Sequence, residues 1–321
     1  MRKLVIGLLF LFVSLCSVFS QFDAQLSQYM FHNSAFNPAA VGEGGMILGI
    51  LQHRIQWVGM PNAGQTTFFS IDTPLKIENS LHGIGIRFLN ENVGLFTNQT
   101  AHLQYALKKK LGDGVLSLGT DIGFVSLGFH GDSVKAHIPP SDLGEYHQNI
   151  SLDTQIPQLS VVGMSFDMDV GAFYSTPTYY AGLSYLHLNS PTVNWSNEIN
   201  FKIYGSLFFT GGYSLTLPDS KYVFKPSMLF KTDFSSSQLD VTGRLEYDNK
   251  YWGGLSYRIQ DAVVFLAGIN ISGGLAVGYS YDLPTSQIIT VSSGSHEIVL
   301  MYSFEYGFEK KNSKFKSIRL L

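Results

Sequence analysis

Histidines and carboxylates are the side chains of this sequence that could carry out chemistry, so their spacing is considered first. The chain has nine histidines, and no two stand in the HExxH spacing that holds zinc on one helix face. One polar stretch combines three histidines with three carboxylates: His130, Asp132, His137, Asp142, Glu145 and His147. A surface metal or hydrolase site is one interpretation of this stretch. A solvated polar loop is the favoured one.

The sequence offers no nucleophile with a partner base in a recognisable motif. It contains no GxSxG, no GxxxxGK[ST] and no GxGxxG before a helix. His187 and Ser190 are close in sequence, but proximity alone does not make the held Ser–His pair of a barrel lipase. Cys16 is the only cysteine and lies in the leader, so the mature chain has no disulfide, redox motif or thiolate metal site. We therefore predict no enzyme activity, no catalytic residue, no metal and no cofactor.

Composition indicates a lipid environment. Charged residues make up 14% of the 321 residues, against about 25% in soluble domains. Aromatic residues also make up 14%, and there are 32 glycines. Such a chain suits strands that face the lipid bilayer on one side. The formal net charge of −3 gives no case for a nucleic-acid partner.

The first twenty residues have the features of a secretory signal peptide. Arg2 and Lys3 precede an apolar run from Leu4 to Val13, and Val18 and Ser20 are small enough for the cleavage positions. We predict cleavage before Gln21. A membrane anchor is disfavoured because the run is shorter than the ~20 residues that a span needs. Lipidation at Cys16 is disfavoured because bulky Leu15 precedes it.

Alternating segments follow the leader, and no apolar run of 18 residues or more occurs there. In the last segment Ile298, Leu300, Tyr302, Phe304, Tyr306 and Phe308 fall on one face, and Val299, Met301, Ser303, Glu305 and Gly307 on the other. The fold class predicted is all-β, a transmembrane antiparallel barrel of about 14 strands. The expected spans are 46–54, 66–74, 81–90, 98–108, 114–126, 164–175, 178–188, 201–214, 222–233, 237–247, 250–259, 262–271, 274–282 and 296–308.

The predicted strands give one aromatic and one polar face. The polar face carries Arg87, Asp121, Asp240, Arg244 and Glu246, which should point into the lumen. A soluble β-sandwich also alternates, but its outer face does not need so many Phe and Tyr. Even-numbered connections are short, as periplasmic turns are, and the longest connection (127–163) has the opposite parity and should be external.

The chain divides into four parts. Residues 1–20 are the signal peptide, 21–45 a plug in the barrel mouth or a segment along its periplasmic rim, and 46–308 the barrel. Residues 309–321 form a basic periplasmic tail that either docks a partner or is idle and disordered. Trp57, close to Arg54, is read as an interfacial anchor or a cation–π partner.

Four motifs carry a family resemblance. The segment Gln25–Phe31 reads Q-L-S-Q-Y-M-F, and Phe36–Ala40 reads F-N-P-A-A. Arg54–Gly59 reads R-I-Q-W-V-G, and Thr66–Pro74 has the form T-T-x-x-S-x-D-T-P. The chain thereby resembles the PorP/SprF family of type IX secretion system membrane proteins. The family's short basic ending is matched with one departure, Ile318 where proline is usual.

The resemblance implies a function that periodicity cannot supply. It implies an outer-membrane protein of a Gram-negative bacterium that helps deliver and anchor a secreted, adhesin-like surface protein with a C-terminal sorting domain. The implied partners are this type IX cargo and other periplasmic and outer-membrane secretion components. A passive porin or hydrophobic-ligand transporter is the alternative. The candidate partner-binding residues are Gln28, Tyr29, Met30, Phe31, Asn37, Pro38, Arg54, Trp57, Lys310, Lys311 and Arg319.

Overall fold

A computed structural model describes residues 23–78, 80–133, 157, 159–196, 199–218 and 221–304. The predicted signal peptide with its cleavage site, most of the polar loop with His137 and His147, and the basic tail with Lys310, Lys311 and Arg319 lie outside these residues. No helix in the described ranges is long and apolar enough to cross a membrane.

The described chain is built from antiparallel strands and a few 3-10 turns. The strands are β1 (Ile47–Ile55), β2 (Gln65–Ile77), β3 (Ser80–Val93), β4 (Phe96–Leu111), β5 (Gly114–His130), β6 (Ser160–Ser175), β7 (Tyr179–Leu186), β8 (Thr192–Asn194), β9 (Asn200–Lys202), β10 (Ser206–Tyr213), β11 (Leu215–Thr216), β12 (Tyr222–Thr232), β13 (Ser237–Tyr247), β14 (Tyr251–Arg258), β15 (Ala262–Ile271), β16 (Leu275–Pro284) and β17 (Ser295–Phe304). The 3-10 turns are Tyr29–Phe31, Asn33–Ala35, Pro38–Ala40, Gly131–Ser133 and Gln287–Thr290.

Fourteen strands close into one barrel, which confirms the predicted fold class. Each strand pairs with its neighbour in the chain, and β1 pairs with β17, from Ile47 opposite Phe304 to Ile55 opposite His296. The short β11 continues β10, and β10 joins β7 to β12 across the β8–β9 hairpin. Closure leaves the barrel without an open sheet edge, which is the condition for strands to cross a lipid bilayer.

Side chains alternate between lipid and lumen as the sequence predicts. In β17, Ile298, Leu300 and Tyr302 are exposed, while Val299 and Met301 are buried inside. The polar face expected from the sequence also lies inside. Its charged members lie in the lumen wall, where Arg87 is half-buried and the others are buried: Asp121, Asp240, Arg244 and Glu246.

The two ends of the barrel differ. At one end, here called the turn end, connections are short, as between Leu111 and Gly114 or Ile271 and Leu275. At the other, the loop end, lie the long connections after β1, β5, β7 and β16. Strands β3 to β6 have 14 to 17 residues, and each is longer than its expected span. All four are extended at the loop end, where Val93 pairs with Phe96 and His130 with Ser160.

Candidate functional site: the lumen and its mouth

Residues 23–45, here called the lumen segment, run through the interior of the barrel. Every residue from Leu26 to Gly42 is buried. The segment is wound into three 3-10 turns. The last turn begins with Pro38, whose fixed φ suits a first helical position, and the Asn37 side chain accepts a hydrogen bond from Ala39 N at 2.9 Å. The F-N-P-A-A motif therefore encodes a local cap.

The lumen segment spans the length of the barrel. Asp23 contacts His187, which follows β7 at the loop end. Gly42 N donates to Asp72 at 2.8 Å, and Gly42 packs against Thr73 and Gly83 near the turn end. The segment thus enters the described structure at the loop end and leaves it at the turn end, where β1 begins.

A buried ion network holds the start of the segment. The backbone N–H groups of Ser27 and Gln28 each donate to the Glu297 carboxylate at 2.8 Å. The Ser27 hydroxyl donates to Asp282 at 2.7 Å. Arg54 and Arg258 reach the same Asp282 oxygen at 2.9 and 3.0 Å. Because buried charges must be paired, this network needs each of its members.

Arg258 and Arg54 are fully buried, and both also bind Ser27 of the segment. Arg258 Nη2 donates to Ser27 Oγ at 3.0 Å and Arg54 Nη1 at 2.8 Å. Arg258 Nε pairs with Asp240 at 3.0 Å. Ser27 of the Q-L-S-Q-Y-M-F motif therefore contacts residues of four strands, β1, β14, β16 and β17.

A second network lies deeper along the wall. Arg87 pairs with Asp121 at 2.9 Å and with Asp169, and its Nη1 donates to Ala35 O at 3.0 Å. Gln104 donates to Asp121 at 3.0 Å and to the carbonyl oxygen of Ser34 at 2.9 Å. The backbone carbonyls of the second 3-10 turn are therefore satisfied by side chains of the wall.

Asp23, His187, Asp167 and His102 form a chain of contacts at the loop end, here called the latch. His187 contacts Asp23 at 2.9 Å through Nε2 and Asp167 at 2.7 Å through Nδ1. His102 Nε2 lies 3.1 Å from the same Asp167 oxygen. Two histidines and a carboxylate of the wall thus hold the first described residue of the segment.

The latch is charged. Burial lowers the pKa of His187, but the Asp23 charge and the Asp167 hydrogen bond outweigh it and raise the pKa well above its ordinary value. Burial likewise raises the pKa of Asp23, yet the His187 charge and hydrogen bond bring it below the ordinary value. At neutral pH the two groups therefore form an ion pair.

Two latch residues, His102 and Asp167, form with Asp169 the one set of residues in the described ranges with metal-ligand spacing. Their ligand atoms lie within 4.8 Å of one another. These atoms already face His187 and Arg87, so a cation would have to displace buried ion pairs. We assign the group to the ion network.

Aromatic contacts surround Phe31. Its ring lies 4.6 Å from that of Trp252, and the Arg244 guanidinium is 4.5 Å from its centroid. This is a cation–π contact in the lumen, different from the predicted one between Arg54 and Trp57. Arg54 points inward into the ion network. Trp57 follows β1 with a φ of 52°, and its backbone N donates to Ser295 Oγ at 3.1 Å.

The end of the lumen segment is held because its backbone lies very close to glycines of the barrel wall. Asn37 Nδ2 donates to Ala172 O at 2.9 Å. A Cβ added to Gly119 would lie 2.5 Å from the Pro38 carbonyl carbon and 2.6 Å from Ala39 Cα. Gly83 meets the backbone of Val41 in the same way, and Gly171 meets the side chain of Asn37. Glycines in the wall therefore form the groove that receives the third 3-10 turn.

A cavity of about 670 Å³, here called the mouth, lies at the loop end above the segment. Aromatic residues line much of it: Trp57, Phe96, Phe201 and Tyr204. Charged residues line the rest: Asp23, Glu91, His187, Lys231 and Asp261. The start of the lumen segment is thus part of the wall of the mouth.

The β8–β9 hairpin, which the sequence did not predict, folds into the mouth. Val193 packs against Val125 and Leu127 of β5. Trp195 Nε1 donates to Leu127 O at 2.8 Å. Its strands have three residues each, too few for alternation to mark them against a loop.

The predicted site residues fall into three groups. Gln28, Tyr29, Met30, Phe31, Asn37, Pro38 and Arg54 are buried in the lumen, where they bind the barrel's own wall. Trp57 lies at the mouth. Lys310, Lys311 and Arg319 lie outside the described residues. Direct contact of the first group with a partner would require the segment to move.

The histidines that the sequence offers as candidates for chemistry, His187 and His130, make structural contacts. Both ring nitrogens of His187 face carboxylates, so the ring is not the base of Ser190. His130 Nδ1 lies 3.3 Å from Ser160 Oγ, and Ser160 donates to Asp132 at 2.7 Å. These contacts tie the end of β5 to β6.

The family model for type IX secretion system membrane protein PorP/SprF matches residues 18–302. The chain belongs to the PorP/SprF family. The match includes the described lumen segment and nearly all of the barrel, and it ends before the basic tail. This family membership makes the protein a component of type IX secretion in the outer membrane, and the family is one of membrane secretion proteins rather than enzymes.

Comparison with curated proteins gives no match. Among solved structures, the chain is similar to the monoaromatic hydrocarbon channel CymD (12% identity, 90% of this chain and 95% of that chain, TM-score 0.47). It is also similar to a deltaS2S3 mutant of the channel TodX (10%, 88% and 95%, 0.47). A third is the translocator domain of the autotransporter NalP from Neisseria meningitidis (13%, 86% and 93%, 0.41). At TM-scores below 0.5 these similarities carry no functional argument.

Sequence reasoning missed the residues that fix the segment. Asp167, Asp282, Glu297 and Arg258 stand in no sequence motif, and the sequence points to His187 only through its closeness to Ser190. The first four stand in strands, and His187 directly follows β7. A charged residue on the inward face of a lipid-facing strand is expensive unless paired, and this signal points to a filled lumen.

Proposed function

We propose that this PorP/SprF protein delivers a secreted, adhesin-like surface protein with a C-terminal sorting domain and then anchors it at the outer membrane. It works by recognition, with no bond made or broken. The observation that supports this most is the mouth, an aromatic and charged cavity at the end with the long loops. By the general rule that periplasmic turns are short, that end faces the cell surface.

The mouth has the chemistry of a peptide-binding surface. Aromatic side chains provide contact area at low entropic cost, and Glu91, Lys231 and Asp261 offer polar partners. Bound chain would rest on the hairpin residue Phe201 and on Trp57. The cargo would thus be held from outside, without passing through the lumen.

Neighbouring residues of β9 give a matched test. Phe201 lines the mouth, whereas Asn200 is exposed and does not line it. Tagged Phe201→Glu and Asn200→Glu proteins are purified from outer membranes and their partners identified by mass spectrometry, beside surface levels of the cargo. We expect cargo loss in Phe201→Glu alone, with heat-modifiable gel migration unchanged. Equal cargo retention in both variants would count against the mouth.

The basic tail is proposed to contact the secretion machinery in the periplasm. Lys310, Lys311, Lys314, Lys316 and Arg319 give it five positive charges, which can bind an acidic surface in a salt-dependent way. Removal of Lys310 to Leu321 should leave a folded barrel and lower surface levels of the cargo. Normal cargo levels with a folded barrel would make the tail idle.

A passive porin or hydrophobic-ligand transporter remains the second candidate, and the apolar lining of the mouth favours the ligand-binding form. The lumen segment argues against a porin, because the spaces beside it are small, about 20 and 40 Å³. Planar-bilayer recording and extraction of bound lipid from the purified protein distinguish these cases. We expect little conductance, and steady porin-like conductance would overturn this reading.

A further inference from the structure

The course of the lumen segment has a consequence for the topology of the whole chain. The barrel strands begin and end at the turn end, where Ile47 pairs with Phe304. The first described residue, Asp23, lies at the opposite end, because its partner His187 follows the last residue of β7 there. The segment therefore returns the start of the chain to the side of the long loops.

Covalent reach limits where the mature chain can start. With cleavage before Gln21, two residues precede Asp23, and two residues span at most ~7 Å. Asp23 and Gln25 both line the mouth. The Gln25 side chain is held there by Lys231, whose Nζ donates to Gln25 Oε1 at 2.7 Å.

We propose that the mature N-terminus lies on the cell-surface side of the outer membrane, beside the mouth, while the last strand, β17, ends at Phe304 on the periplasmic side. The first residues of the mature chain are then part of the surface that an external partner meets. A partner in the mouth contacts Gln25 and also Asp23, which is a residue of the latch. The lumen segment connects that surface with the turn end.

Contacts in three wall regions fix the direction in which the lumen segment runs through the barrel. Its start is bound to two separate wall regions, through His187 to β6 and through Ser27 to β16 and β17. Its end fits a groove of wall glycines. A reversed course would place the charged contacts of Asp23 and Ser27 away from all of these partners.

Cysteine labelling tests the proposal cleanly, because Cys16 is the only cysteine and belongs to the predicted leader. A Gly-Ser-Cys-Gly-Ser insert between Phe22 and Asp23 keeps the predicted cleavage residues. Gln287→Cys, exposed at the loop end, and Asp113→Cys, exposed at the turn end, are the matched controls. Intact cells are treated with a membrane-impermeant maleimide, and a second sample is treated after permeabilisation of the outer membrane.

We expect the insert and Gln287→Cys to label on intact cells, and Asp113→Cys only after permeabilisation. Intact mass should show a chain that begins at Gln21 and bears no lipid. An insert that labels only after permeabilisation, together with Asp113→Cys, would overturn the proposal. The proposal would also be overturned if Asp113→Cys labelled on intact cells and Gln287→Cys only after permeabilisation, because the loop end would then face the periplasm. If the insertion prevents folding, Gln25→Cys at the wall of the mouth serves the same test with the same expected and contrary outcomes.

Discussion

The two halves of the lumen segment are held by different interactions. From Asp23 to Gln28 the contacts are ion pairs and charge-assisted hydrogen bonds to wall residues such as His187 and Glu297. From Phe36 to Gly42 they are mainly close contacts of backbone with glycines of the wall, such as Gly119. The first half depends on charge, and the second on shape.

This difference indicates which half can be released. Ion pairs respond to pH, salt and competing charges, whereas packing against wall glycines does not depend on these conditions. The half that depends on charge is also the half that borders the mouth. A partner at the mouth could therefore loosen the start of the segment while its end stays in place.

Breaking the ion network should have the largest effect. Arg258→Met removes the arginine that pairs with Asp240 and one of the two that pair with Asp282, and both carboxylates stay buried. The loss of a buried partner costs about 3–5 kcal/mol, so we expect a fall of that size in the free energy of unfolding measured by urea titration. Lys221→Met, which breaks the exposed pair with Asp248, is the control and should change nothing measurable. Equal stability of the two variants would show that the network does not hold the segment.

A substitution that fills the groove of wall glycines should lower stability less than Arg258→Met does. It should displace the lumen segment more. Gly119→Ala puts a methyl group against the backbone of Pro38 and Ala39, which cannot move aside as a side chain can. We expect a loss of about 1–3 kcal/mol, as for overpacked cores. Gly49→Ala is the control, because its Cβ would meet only Tyr302 O, at 3.8 Å. A Gly119→Ala protein as stable as the Gly49→Ala protein would contradict the division of the segment into two halves.

The latch should make the first half sensitive to pH. The His187 pKa is raised, so its contribution is complete below the ordinary value of 6.5 and is lost as pH rises through the folded value. The Asp23 pKa is lowered, so its contribution is complete above 3.8 and is lost as pH falls. The latch is therefore strongest between these two values and weakens toward alkaline pH.

Urea titration at several pH values measures this dependence. The His187 ring contacts the carboxylates of Asp23 and Asp167, and its backbone N donates to Asp169. Lys231 Nζ donates to the backbone oxygen of Asp23. His187→Asn should lose the alkaline decline that the unaltered protein shows, while His130→Asn, at an exposed histidine, should keep it. An unchanged pH profile in His187→Asn would place the titration elsewhere.

The barrel could be predicted from the sequence because lipid imposes a period of two on every strand. Ile298, Val299 and Leu300 alternate between lipid and lumen, and each wrong register would put a polar face into lipid. The hairpin Thr192–Lys202 does not face lipid, so no such constraint marks its sequence. The loop-end extensions of β3 to β6 mix apolar residues such as Val93 and Phe129 with polar ones such as Asn92 and His130, so no clear alternation marks where these strands end.

The contacts of the site could not be predicted, because they join residues far apart in the chain. Ser27 meets Glu297 and Asp282 across the barrel closure, and no local pattern links these three positions. The closeness of Arg54 and Trp57 in sequence suggests a cation–π contact, yet strand alternation sends Arg54 inward, away from Trp57. The motif residues were chosen for resemblance, and the structure gives their physical role as contacts with the wall.

Tyr29 lies between the two halves and should give the smallest effect. Its hydroxyl is hydrogen-bonded to Ser227 Oγ at 3.2 Å and to Thr242 Oγ1 at 3.0 Å, without a charged partner or a glycine groove. Tyr29→Phe removes these bonds and keeps the ring, which costs about 0.5–1.5 kcal/mol for each hydrogen bond of this kind. Thr242 also donates to Ser256, so this wall hydroxyl retains a partner and the loss should stay at the lower end. Urea titration beside Tyr257→Phe, at an exposed tyrosine on the lipid face, measures it. A loss as large as that of Arg258→Met would mean that the middle of the segment is held as firmly as its start, and the segment would then be released as one unit.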